Sequence, residues 1–207
     1  MAFTLKQFSA VRPYMYHLTA RDNLQHIREL RVLYSAHQLL TESSNAPALN
    51  DKRKTLLPVK WKDRIVHIRD QSPLHRGNVS FIGGWDFNQL LRELNRQVFF
   101  WPGTSACPID YGVRHFERYR AERPIILRLK FLDVVSRQEP YFCKFNSGSP
   151  RCTGGFGSPR GPSTFVSASE ADFSPCKAVE ITFRGEVALP KKLEIGDSIS
   201  GPWAEMD

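Results

Sequence analysis

The sequence predicts an α+β fold built as a single domain over residues 1–207, and three observations predict it. Helical patterns dominate the first 120 residues, with short alternating strands between them. Strong strand patterns take over from Ile125 onward. No internal repeat is visible. Helices drawn mainly from the N-terminal half and strands from both halves imply a split, mixed or antiparallel central sheet.

The elements follow in order. Residues 14–19 alternate Tyr, His and Thr and read as a short strand. Asp22 to Leu33 reads as a helix with Leu24, Ile27, Leu30 and Leu33 on one stripe. Ser35 is placed to cap a second, shorter helix running through Leu40. The polar stretch with Ser43, Ser44, Asn45 and Pro47 predicts a mobile loop over about 42–58. Ile65-Val66-His67-Ile68-Arg69 alternates and reads as a strand ending at Asp70-Gln71-Ser72-Pro73. Asp86 is a good N-cap for a helix that buries Leu90, Leu91 and Leu94 and ends near Asn95. Val98 to Pro102 predicts a buried strand stopped by its proline, and Ile109 to Arg120 a helix bounded by Pro124. Ile125–Val135, Tyr141–Phe145 and Val179–Phe183 read as strands. Between the last two lies a loop over 146–178 rich in Gly, Ser and Pro, and loops of that length serve as lids, binding loops or disordered segments.

Composition bounds the function. A hydrophobic share of 41% and 14 Phe supply a packed interior. No run of about 18 apolar residues is present, so no membrane span is expected. Residues 1–9 lack the apolar core of a signal peptide, and the expected location is cytoplasmic. Cys107, Cys143, Cys152 and Cys176 show no zinc-like spacing, so reduced thiols and no metal are expected. The net charge of +8 suits a polyanionic partner, a nucleic acid or an acidic protein.

Several residues invite a chemical reading, each beside a plainer one. His17 is a ligand or a satisfied core residue, and Thr19 a ligand or a helix cap. Arg69 clamps a phosphate or forms a solvated salt bridge. Glu180 alternates out of an apolar strand directly after the long loop, where a carboxylate stabilises developing positive charge or bonds a ribose hydroxyl, or it is an ordinary polar residue on a solvent-facing sheet. In the loop itself, Arg151, Arg160 and the aromatics Phe156 and Phe165 offer charge and stacking to nucleic acid, or form an ordinary surface loop. No GxSxG, HExxH, Walker A or GxGxxG sequence competes.

Three segments together resemble the DarT-type ADP-ribosyltransferases, which use NAD to modify bases in nucleic acid. They are Tyr16-His17-Leu18-Thr19 with Asn23-Leu24, the strand 65–69 leading to Ser72-Pro73-Leu74, and Ala178-Val179-Glu180-Ile181-Thr182-Phe183 with Val187 and Pro190. The resemblance implies an ADP-ribosyltransferase fold with NAD as co-substrate. It implies that His17, Thr19 and Asn23 bind NAD, that Glu180 is the catalytic glutamate and that Gln71 lies at the cofactor. The residue directly before the Ser-Pro pair is Gln71, so Arg69, two positions earlier, is implied as the source of the catalytic guanidinium. Residues 94–101 and the glycine-rich loop are not typical of the best-known members, which marks a divergent branch.

The expected activity is therefore transfer of ADP-ribose from NAD to a nucleic-acid base, DNA ahead of RNA, with single-stranded acceptors and no membrane partner. Arg151, Arg160 and Phe156 are the expected acceptor contacts. The family implies a toxin or phage-defence effector, often with a neutralising antitoxin protein. Two alternatives stay open: a non-catalytic nucleic-acid-binding module, and a transferase acting on protein or a small molecule.

Overall fold

The computed structural model describes residues 2–43 and 45–206. Helix α1 (Leu5–Val11) leads into strand β1 (Tyr14–Thr19), helix α2 (Leu24–Leu30), strand β2 (Val32–Tyr34) and helix α3 (Ala36–Thr41). A hairpin of β3 (Leu57–Trp61) and β4 (Arg64–Ile68) follows, then β5 (Val79–Phe81), α4 (Phe87–Arg96), β6 (Gln97–Gly103) and α5 (Asp110–Tyr119). The second half supplies β7 (Ile125–Lys130), α6 (Phe131–Val135), β8 (Tyr141–Cys143) and β9 (Ser158–Arg160). It closes with β10 (Glu180–Arg184), β11 (Glu186–Ala188), β12 (Glu194–Gly196) and β13 (Ala204–Glu205).

The architecture is α+β, as expected. Seven strands in the order β13-β12-β7-β1-β6-β10-β8 form one sheet in which every neighbouring pair is antiparallel. The parallel pair among the described residues, β5 with β9, lies outside this sheet. Apolar side chains alternate between its faces. Met15, Phe100, Leu127 and Ile181 pack with Phe8 of α1 and Phe131 of α6 on one side. On the other side Tyr16, Leu18 and Trp101 pack with Phe116 and Tyr119 of α5, and Leu90, Leu91 and Leu94 of α4 pack with Cys143 and Phe99. Gly112 lets α5 approach the sheet: a Cβ there would lie 2.9 Å from the Cβ of Trp101.

One detail of the register positions the site. β6 pairs with β10 through Gln97–Phe100 but with β1 only through Trp101–Gly103, opposite Tyr14–Tyr16. Beyond Tyr16, residues His17–Thr19 stay paired with β7 and leave β6. The sheet parts there, with main-chain groups of β6 turned toward the gap.

Several expected boundaries shift. The helix predicted to Leu33 ends at Leu30, because Arg31 takes a left-handed conformation (φ 54°) and Val32–Tyr34 pairs with β11. The strand predicted to Val135 stops at Lys130 and continues as α6. Pro102 does not stop β6: the residue sits in register with Met15, and its carbonyl accepts from Ile109. The loop expected over 42–58 contains a 3-10 turn at Ala46–Leu49 and the first residues of β3, while Ser44 lies outside the described residues. The segment 146–178 is tied down by β9, by 3-10 turns at Pro162–Thr164 and Pro175–Lys177, and by the buried Phe165 and Phe173. Among the described residues, no helix is long and apolar enough to cross a membrane.

Candidate functional site

Where β1 leaves β6, a cavity of about 260 Å³ opens, and His17, Thr19, Asn23, Arg69, Gln71 and Glu180 all line it. Residues separated by more than 160 positions thus meet at one place. The outer end of β1, the strand end after β4, the start of α2 and the start of β10 each contribute.

His17 carries the split. Its Nδ1 donates to the carbonyl of Phe99, 2.8 Å away, which satisfies a main-chain acceptor that β1 no longer reaches. That bond fixes the tautomer and leaves Nε2 as an acceptor. Burial, with Arg69 also unfavourable, pushes the imidazole down to about 4, although the Phe99 bond opposes the shift. The ring is neutral at physiological pH.

Arg69 lies with its guanidinium 4.4 Å over the Tyr119 ring, and its Nη1 pairs with Glu122. Its Nε and Nη2 are buried with no hydrogen-bond partner among the described residues. Leaving two charged donors unmatched is costly, and such a fork suits a bidentate anion. The indole N–H of Trp101, another lining residue, is likewise buried and unmatched among the described residues.

Glu180 is 4% exposed. One carboxylate oxygen accepts the Ser147 N–H at 3.1 Å. Burial raises its pKa to about 7, with the Ser147 bond and Arg160 opposing the rise. The carboxyl is therefore poised between acid and anion near neutral pH.

Three other predicted residues hold the walls together. The Asn23 amide donates to Thr19 Oγ1 (3.1 Å) and to the His67 carbonyl (2.9 Å), and accepts the His67 N–H (2.8 Å). This double bond to His67 pins the β3–β4 hairpin to the start of α2. Thr19 thus accepts from Asn23 rather than capping the helix, whose first turn is 3-10. Gln71 accepts from the Arg53 N–H and donates to Asn95.

The predicted acceptor contacts do not join them. Arg151, Arg160 and Phe156 lie outside the cavity lining. Phe156 projects 79% exposed at the tip of a turn whose Gly154 and Gly155 both have positive φ. Arg160 is buried and spends its guanidinium on neighbouring main-chain carbonyls and Ser158, so it presents no donor to a nucleic-acid strand.

Sequence reasoning missed His115 and Arg53. His115 lines the cavity from α5, its ring 4.3 Å from Trp101 and 4.8 Å from Tyr119. Burial and the nearby Arg69 and Arg118 push it down to about 3. Arg53 lines the cavity from the polar segment before β3 and bonds the Arg69 carbonyl (2.9 Å) and Asn95 (2.8 Å). Burial lowers it to about 10, so it keeps its charge. Nothing local in the sequence marked either residue: 109–120 reads only as a helix, and Arg53 lies in a polar segment.

The arrangement combines neutral imidazoles, one cationic fork with unspent donors at Arg69 and one poised carboxyl. It suits a ligand with an anionic portion and a centre that gains positive charge. Among the described residues, no group of three or more His, Cys, Asp or Glu is placed to hold a metal ion. No curated protein and no solved structure matches the chain. A model of a family of unknown function, DUF7002, matches residues 13–193. That match covers most of the chain, which belongs to the DUF7002 family.

Proposed function

We propose that the protein is an NAD-dependent ADP-ribosyltransferase of DarT-like fold, acting on a base of single-stranded nucleic acid. The observation that carries this reading is the convergence of His17, Arg69 and Glu180 on one cavity at the split of the sheet. In this reading Nε2 of His17 meets the nicotinamide-ribose end of NAD, and the open Nε and Nη2 of Arg69 receive the pyrophosphate. Glu180 bonds the nicotinamide ribose and stabilises the oxocarbenium-like state as the ribose C1′–nicotinamide bond breaks. Nicotinamide departs with the bonding pair, the base nitrogen or oxygen forms the new bond to C1′, and the base loses a proton. The net charge of +8 supports a polyanionic acceptor. The biological setting proposed is a toxin or phage-defence effector, with a neutralising antitoxin protein as its partner.

The test is incubation with labelled NAD and a panel of single-stranded DNA, duplex DNA, RNA and protein. Label on nucleic acid, with stoichiometric nicotinamide, is the expected result. Label on protein alone would reassign the acceptor. Salt-sensitive DNA or RNA binding with no nicotinamide release would favour a binding module.

A second expectation separates the two polar residues at the end of β4. Arg69→Ala should weaken NAD binding about 10- to 100-fold by calorimetry, the worth of a charged hydrogen bond or two. Gln71→Ala, which loosens only the Arg53 and Asn95 bonds, should cost less than about threefold. The reverse order would move the pyrophosphate away from Arg69.

A further inference from the structure

We propose that Arg160 is a positioning residue: it holds the Ser147 N–H against the Glu180 carboxyl and favours the carboxylate over the acid. The inference rests on the reading of Glu180 as the reacting group of the cavity. Arg160 is 1% exposed, and its donors are spent with little waste. Nη2 donates to the Asn146 carbonyl (2.8 Å) and Nε to the Ser147 carbonyl (3.2 Å). Nη1 donates to Ser158 Oγ (2.6 Å) and the Pro159 carbonyl (2.9 Å), and the guanidinium stacks 3.9 Å from the Phe145 ring. The fork thus gathers two successive carbonyls of the turn, whose Ser147 N–H points the other way, to Glu180.

A buried arginine ringed by carbonyls is an unusual arrangement to maintain for packing alone, because its desolvation is costly. Its counterion is not in direct contact: no salt bridge to Arg160 occurs among the described residues. The charged and titratable groups that face Glu180 are Arg160, carried by β9, and Cys143, its register partner on β8. Burial holds the Cys143 thiol well above its ordinary value and therefore neutral, which leaves Arg160 as the charge that acts on the carboxyl. β9 owes its place to the parallel pairing with β5, and Gly161 lets the chain pass: a Cβ there would lie 2.7 Å from the Ile82 carbonyl oxygen. The long Gly-rich segment thereby delivers a cation beneath the site rather than a contact to the acceptor.

The test titrates the Glu180 carboxyl carbon by NMR in protein labelled at glutamate, with Glu180→Gln identifying the resonance. The wild type should titrate near pH 7. Arg160→Met keeps the bulk but removes charge and fork, and should move the midpoint up by about one unit. Arg160→Lys keeps the charge without bridging both carbonyls and should move it by about half as much. In Arg160→Met, nicotinamide release should fall about fivefold at pH 7 and recover by about pH 9, a profile that loss of packing alone does not produce. An unchanged midpoint in a folded variant overturns the proposal, and Arg160→Lys decides by the same criterion if Arg160→Met does not fold. The carboxyl titration needs no NAD. A shifted midpoint in a protein that releases no nicotinamide would uphold the role of Arg160 and overturn the transferase reading.

Discussion

Glu180→Gln is expected, on the proposed transferase reading, to lower ADP-ribose transfer at least about a thousandfold while most NAD binding survives, the loss typical of removing a preorganised charge at a developing transition state. The substitution keeps an oxygen for the Ser147 N–H, so the turn at Ser147 should hold. It should also stabilise the protein at high pH. The folded-state pKa of Glu180, about 7, lies above its ordinary value of 4.5, so its contribution to stability is present below pH 4.5 and is lost as pH rises through 7. A shift of that size corresponds to about 3 kcal/mol. Glu180→Gln should therefore unfold at a higher temperature than the wild type at pH 8 and at nearly the same temperature at pH 4.5. Full transferase activity in this variant would remove Glu180 from the mechanism. A pH-independent difference in melting temperature would show that its carboxyl is not held as described.

Acid should act on the opposite wall of the cavity. His17 and His115 are pushed from 6.5 to about 4 and about 3, both first by burial. A depressed folded-state value gives stability that is present above pH 6.5 and lost as pH falls toward the folded values. Both rings border the open cavity, where solvent screens part of the cost, so the combined loss expected between pH 6.5 and 4.5 is about 3 kcal/mol. Glu180 opposes it over part of this window, so the comparison is between variant and wild type rather than between pH values alone. His115→Phe preserves the stack between Trp101 and Tyr119 and removes the titrating ring. Its melting temperature should change much less over this window than that of the wild type. Parallel melting curves would mean that His115 is solvated enough to protonate freely.

What the sequence made legible was local. The alternation over 14–19 specifies β1, and Asp86 with Gln89 forms a complete capping box that starts α4. Ser35 caps α3 as expected, through the Gln38 N–H. The misses lie where distant pairing overrides a local pattern. Leu33 fits a helical stripe, but β11, more than 150 residues away, recruits Val32–Tyr34 into a strand. Phe131–Val135 is rich in β-formers yet turns helical to place Phe131 and Val134 against α1.

The candidate site divides in the same way. His17 and Glu180 are readable because each alternates out of an apolar strand, and the cavity receives both. Arg160 misleads because a basic residue in a Gly-Ser-Pro segment reads as exposed. Its burial comes from β5 and the 146–147 turn, neither of which has a sequence signature. His115 is hidden for a related reason. Its role arises from the approach of α5 to Trp101 that Gly112 permits, which no spacing within 109–120 announces.

The most direct measurement is nicotinamide release from NAD by the wild-type protein and by Glu180→Gln, with single-stranded DNA present and with RNA or protein in its place. Release by the wild type with matching label on the nucleic-acid strand, and near-complete loss in Glu180→Gln, is the predicted result. No release by the wild type with any of these acceptors, together with no detectable NAD binding, would contradict it.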